Sequence, residues 1–271
     1  MQPSGWQTAE IGSERNGKLN MDALNFFDCN CSIGMRGVVH PGSFYAVEEL
    51  ERKMKHYGIG KALVYHSMAK EYNPVVGNKL LLEEIKAHPS LYPVWVVMHH
   101  HTQEFPGPDE LIRDMRNHGI KAVRMFPGQW EQNFSVAQWN CGELFAALEE
   151  YRVPVMIGLD SIGWNGFYEL LGSYPQLNIL MTEADYRIDR NLYAMLEKFD
   201  NLFIEIMGYK VHSGIEEICK RFGAHRLIFG SGMPVFSGAA VCMVTYARIS
   251  EEEKKLIACE NLEKLTGGVR L

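Results

Sequence analysis

Phe27-Asp28-Cys29-Asn30-Cys31-Ser32-Ile33-Gly34 is the stretch on which the fold turns. The apolar run from Leu24 to Phe27 leads into it, so it reads as a β-strand that closes on a glycine. Side chains on a strand alternate between two faces. Asn30 and Ser32 therefore share one side, and Cys29 and Cys31 share the other. With the polar pair directed inward, the two cysteines are expected outside, packed under helices and not acting as a metal pair.

Working outward, short β-rich apolar runs alternate with amphipathic stretches at helical spacing, the pattern of a parallel α/β fold. A helix is predicted over Val47–Tyr57 and a strand over Ala62–Tyr65, then a helix over Asn78–Ala87 and a strand over Val94–Met98. The pairs Asp109–Asn117 with Lys121–Met125, Glu143–Tyr151 with Val153–Ile157, and Phe167–Ser173 with Ile179–Met181 follow. Leu192–Phe199 with Leu202–Ile206 and Ile215–Phe222 with Leu227–Phe229 complete the series, and a long helical tail ends the chain. Gly58, Gly119 and Gly223 stand where helices stop, as do His88-Pro89 and Tyr174-Pro175. Eight apolar strands imply a sheet buried on both faces. No Gly-x-Gly-x-x-Gly follows the first strand, which favours a (β/α)8 barrel of the TIM type over an open doubly wound sheet.

The chain from Met21 onward resembles the amidohydrolase-2 family, metal-dependent hydrolases and decarboxylases on a (β/α)8 barrel. The resemblance rests on four motifs in order. Asp28 and Gly34 frame the first strand as in Asp-x-His-x-His-x-Gly. Gly119-Ile120-Lys121-Ala122-Val123-Arg124-Met125 is similar to the fourth strand, and Leu227-Ile228-Phe229-Gly230-Ser231-Gly232-Met233-Pro234 to the eighth. Leu256 to Leu265 is similar to the closing helix. The family binds its metal through two first-strand histidines, one histidine each on strands five and six, and an aspartate on strand eight. Here those positions hold Asn30, Ser32, Gly158, Glu183 and Gly232. The resemblance thus implies the barrel, while the ligand set for its metal is replaced; no metal and no other cofactor is expected.

The residues expected at the mouth follow from the strand ends. Arg124 ends strand four and offers a planar fork for a carboxylate; its alternative is an ion pair with Glu183 or Glu205. Glu183 stands at a strand end, where desolvation raises a carboxyl toward acid–base use, and Asp185 shares its parity or caps a helix. His66 after strand two completes the catalytic set, with Asn30, Ser32, His99 and Tyr209 lining the ligand site. His99 and His101 share parity in His99-His100-His101, although a polar loop is the plainer reading. Glu205 inside a strand needs a partner. Ser231 lacks the frame of a nucleophile elbow.

Three functions are compatible with these residues: a metal-independent hydrolase or lyase for a small carboxylate-bearing molecule, a non-catalytic barrel binding a small acid or a partner, and a metal hydrolase with relocated ligands. The first is preferred. The 271 residues suit one barrel domain over 21–271, with a flexible arm over 1–20 and a natural start at Met21. A net charge of −6 without basic runs argues against nucleic acid and anionic membranes, and no apolar run is long enough to span a bilayer. Six scattered cysteines fit reduced thiols in a cytoplasm. The expected partners are a small carboxylate and, for self-association, a homodimer.

Overall fold

A computed structural model describes residues 24–271. The expected arm over 1–20 and the start at Met21 lie outside the described residues. Nine parallel segments build the sheet: β1 (Phe26–Ile33), β2 (Ile59–His66), β3 (Leu91–Pro93), β4 (Trp95–Val96), β5 (Val123–Met125), β6 (Val155–Gly158), β7 (Ile179–Thr182), β8 (Leu202–Glu205) and β9 (Leu227–Ile228). They make eight staves, because β3 and β4 are two halves of one. β3 pairs with β2 and β4 pairs with β5, while between them the Val94 N–H donates to the Val64 carbonyl at 2.8 Å.

The last stave returns to the first. The Cys29 N–H donates to the Phe229 carbonyl at 3.0 Å and the Ser32 N–H to the Met233 carbonyl at 2.9 Å. A ladder that ends on its own first strand has no open edge, so the sheet is a barrel. β5 to β9 are thus the fourth to eighth staves named from the sequence.

The lumen is packed. Leu63, Val94, Ala122, Met156, Leu180 and Ile228, each from a different stave, form one buried cluster. Cys259, Leu262 and Leu265 of the closing helix join it at three-residue spacing and stopper the N-terminal end. The larger cluster lies between the barrel wall and the outer helices.

One expectation about β1 is corrected here. Cys29 belongs to the lumen cluster with Phe27, whereas Cys31 packs outward with Ile33. The pairing of β1 with β2 slips between Asp28 and Cys31, and this bulge turns both Cys29 and Asn30 inward. Strict alternation cannot anticipate a bulge. All six cysteines are free.

Gly58 and Gly119 cap their helices in the left-handed conformation, with φ of 72° and 67°. The helix expected over Phe167–Ser173 begins earlier, at Leu159, and is broken by Gly163 at φ 63°. The short helix Ser67–Glu71, directly after β2, has no counterpart in the sequence pattern, and the expected helical tail begins with Ala239–Thr245. Among the described residues no helix is long and apolar enough to cross a membrane.

Candidate functional site

The C-terminal ends of the strands converge on one mouth, and Arg124 lies at its centre. Its parity on β5 is that of Ala122, so it enters the lumen. Its guanidinium lies against a packed pair of aromatic rings, 4.8 Å from the Tyr65 centroid and 4.9 Å from that of Phe126, which are 5.3 Å from each other. Nη1 donates to Asn30 Oδ1, Nη2 lies 3.5 Å from Glu183 Oε1, and Nε has no partner. The residue is 3% exposed. Of the two expectations for Arg124, the structure shows the ion pair with Glu183.

Glu183 follows β7 with φ 61°, a left-handed conformation that a non-glycine residue holds only under constraint. Its side chain is 35% exposed, which places it at the rim and over the arginine. A β-carbon on Gly158 would lie 2.4 Å from Glu183 Oε2 and 2.8 Å from Asp160 Oδ1. Two carboxyl groups therefore converge over a glycine, and no side chain larger than hydrogen fits beneath them. Burial pushes the Glu183 carboxyl up to about 7; the hydrogen bond with Asp160 works in the same direction, and Arg124 opposes it.

Next to this pair, Lys70 Nζ lies 2.7 Å from Glu131 Oε1, and the Ser161 hydroxyl donates to Glu131 Oε2 at 3.2 Å. The Lys70 ammonium sits 4.6 Å above the Phe126 ring. Asp160, Lys70 and Glu131 were not singled out in the sequence. Asp160 alone had a signal, since it stands two residues past Gly158 at a strand end. Lys70 depends on the short helix after β2, which carries no periodicity of its own.

Deeper in the barrel lies a second pair of acids. Asp28 Oδ1 accepts from the N–H groups of Asn30 and Ser231, both at 2.9 Å, and Oδ2 has no partner. Glu205 Oε1 accepts from the Met207 N–H at 2.7 Å, and Oε2 likewise has none. A β-carbon on Gly230 would collide with the Glu205 carboxyl at 2.4–2.8 Å, so that glycine makes its room. Burial first, then the Asp28 charge, raise Glu205 to about 7, and burial also raises Asp28. The structural partner expected for Glu205 is thus backbone amide and not a direct ion pair.

Several expected residues make their contacts elsewhere than with Arg124 and Glu183. His66 is buried, with Nδ1 accepting from the Met68 N–H at 3.0 Å as the cap of the short helix. Tyr209 is wholly buried and donates to Asp189 Oδ1 at 2.5 Å. Asp185 is exposed and accepts from the Tyr186 N–H; the left-handed turn at Glu183 breaks the parity that was to bring the two together. Nor does Asp185 cap the next helix, whose cap position is Ile188. His99 and His101 do stack, with centroids 5.7 Å apart, and His99 also meets Phe134 edge-on. Burial and the two neighbouring histidines push His99 below its ordinary value, with Glu104 opposing. Ser32 is buried at the end of β1.

Parallel staves closed into a ring, with helices outside and ionisable side chains at their C-terminal ends, define a (β/α)8 barrel of the TIM type. A family model described as Amidohydrolase matches residues 75–265, more than half of the chain, and the chain belongs to that family. No curated protein sequence matches it. Among solved structures it is similar to an uncharacterized TIM-barrel protein from Bordetella bronchiseptica, at 17% identity and TM-score 0.71 over 90% of this chain and 99% of that one. It is also similar to a dihydroxybenzoic acid decarboxylase from a Polaromonas species with bound manganese and an inhibitor, at 13% identity and TM-score 0.65 over 90% and 97%. A probable 2-pyrone-4,6-dicarboxylic acid hydrolase from Acinetobacter baumannii with citric acid bound is a third, at 16% identity and TM-score 0.66 over 90% and 100%.

The residues at this mouth do not fit a metal of the kind that decarboxylase holds. Of Asn30, Ser32, Gly158, Glu183 and Gly232, one is a carboxylate, and Arg124 already lies against it and against Asn30. Among the described residues no group of three or more His, Cys, Asp or Glu is arranged to hold an ion.

Proposed function

We propose that this chain is a hydrolase or lyase for a small carboxylate-bearing molecule, working by acid–base chemistry at Glu183 without a bound metal. The observation that carries this is the convergence of Glu183 and Asp160 over Gly158, directly above Arg124. A carboxyl that titrates near 7 is half protonated at neutral pH, so it can give a proton to a leaving atom or take one from an attacking water. The guanidinium beneath supplies positive charge in a setting of low dielectric, where it favours an anionic ligand. At rest Glu183 itself occupies one arm of that fork, and a ligand carboxylate competes with it for Arg124.

The structural neighbours lend a substrate class. One is a decarboxylase of a dihydroxybenzoic acid and another a probable hydrolase crystallised with citric acid, both small carboxylates. The test is a melting screen of the native protein with benzoate, dihydroxybenzoates and citrate, followed by turnover assays on the stabilising compounds. Turnover that is lost in Glu183→Gln supports the proposal; stabilisation without turnover in any of them counts against it.

A second reading has its own support. Arg124 packs against two rings, is bonded to Asn30 and is paired with Glu183, which would also describe a barrel whose polar centre only holds itself together. A non-catalytic barrel of that kind would bind acids weakly and turn over none.

A further inference from the structure

The opposite end of the barrel carries an unassigned cavity of about 280 Å³. Its lining comes from five separate parts of the chain: Arg152 after the helix Gln138–Glu150, Asn178 before β7, Phe203 on β8, His225 just before β9, and Lys264 with Leu265 on the closing helix. No aspartate or glutamate lines it. In a chain whose net charge is −6, a concave surface with two lysine or arginine cations and a histidine, and no acid, is an uncompensated positive site.

The cations are also free to act. Among the described residues neither Arg152 nor Lys264 has an ion-pair partner within 4.0 Å. His225 is held below its usual range by burial and by Arg226 and Lys264, with Asp200 opposing, which is the response expected in a positive field. The floor differs from the rim. Phe203 is half-buried against the lumen cluster and Leu265 is buried, so the base of the cavity is apolar and partly aromatic.

We propose that this cavity is a second ligand site, distinct from the mouth, for a small aromatic carboxylate. The ring of the ligand lies on Phe203 and Leu265, where an offset or edge contact with the aromatic floor is available. Its carboxylate is held by Arg152 and Lys264, and the Asn178 amide offers a neutral donor. The cavity is at the small end of the range for ligand sites, which suits a single-ring acid. Because Arg152 and Lys264 are exposed, the attraction is screened by salt and the affinity is modest, on the order of millimolar.

Titration calorimetry of the full chain with benzoate at low ionic strength tests this, using Arg152→Gln/Lys264→Gln, Phe203→Leu and Arg124→Lys, with inorganic phosphate as competitor. The expected result is benzoate binding that weakens tenfold or more in the double variant and severalfold in Phe203→Leu, and that survives in Arg124→Lys. Any additional binding at the mouth is lost in Arg124→Lys alone. Benzoate binding unchanged in the double variant, or absent from the native protein, overturns the proposal. Full displacement by phosphate together with unchanged affinity in Phe203→Leu overturns it as well, since the site would then read an oxyanion and not an aryl acid. The two surface substitutions are remote from the core, and melting curves of each variant confirm that it is folded.

Discussion

Nη2 of Arg124 and Oε1 of Glu183 lie 3.5 Å apart at the barrel mouth, joining a buried cation to a carboxyl that is partly open to solvent. The two residues come from β5 and from the turn after β7, and the arginine is 3% exposed while the glutamate side chain is 35% exposed. The pair is therefore asymmetric. Removing the arginine disturbs the packed lumen, and removing the glutamate charge disturbs a rim that water already reaches.

Arg124→Met, which keeps an apolar stem against Tyr65 and Phe126, leaves Asn30 without its donor and Glu183 without its nearest counter-charge. We expect a loss of about 3 kcal/mol, the lower end for breaking a buried pair because one partner is partly solvated. Denaturant unfolding measures it, and a loss under about 1 kcal/mol would show that the guanidinium contributes little to the fold.

Glu183→Gln keeps the shape and an acceptor for Arg124 while removing the titrating group. The melting temperature should stay within a few degrees of the native value, and turnover of any substrate found should fall by at least a hundredfold, the scale of a general acid or base. A variant that melts far below the native protein would point to a structural pair instead.

Stability should depend on pH through Glu205. The folded protein holds this carboxyl protonated up to about 7, while the unfolded chain releases the proton near the ordinary value of 4.5. The folded state thus binds more protons between those values, so this contribution is complete below about pH 4.5 and lost as pH rises toward 7. A shift of that size corresponds to roughly 3 kcal/mol. Glu205→Gln should flatten the fall in melting temperature between pH 5 and 7; an unchanged slope would assign the effect to other groups. Glu183, raised in the same direction, adds to the native slope, and its single variant separates the two.

The donor set at the mouth leads to a prediction about manganese. Prolonged incubation with the ion followed by gel filtration should leave well under one equivalent per chain, and a chelator should not lower the melting temperature. One retained equivalent that chelation removes, with a drop in stability, would require ligands other than the five positions considered.

The order of strands and helices was legible in the sequence because each is a local pattern. The apolar staves, the amphipathic helices between them and the glycines at 58 and 119 are written in neighbouring residues. Asn30, Ser32, Gly158, Glu183 and Gly232 can likewise be read one at a time, but it is the family resemblance that makes them ligand positions. The meeting of Arg124 with Glu183 was open from the strand ends as one of two alternatives, and the tertiary structure brought them together.

What the chain alone did not determine depends on contacts between distant segments. The bulge in β1 that sends Cys29 inward arises from register with β2, not from any residue within β1. Asp160 joins Glu183 because β6 and β7 are adjacent and Gly158 leaves the space above itself empty. His66 and Tyr209 turned into the packing because a short helix and Asp189 offered them hydrogen bonds. Sequence pattern decides which face a residue is on; only the closed barrel decides what stands opposite it, because that depends on the register and curvature of all eight staves at once.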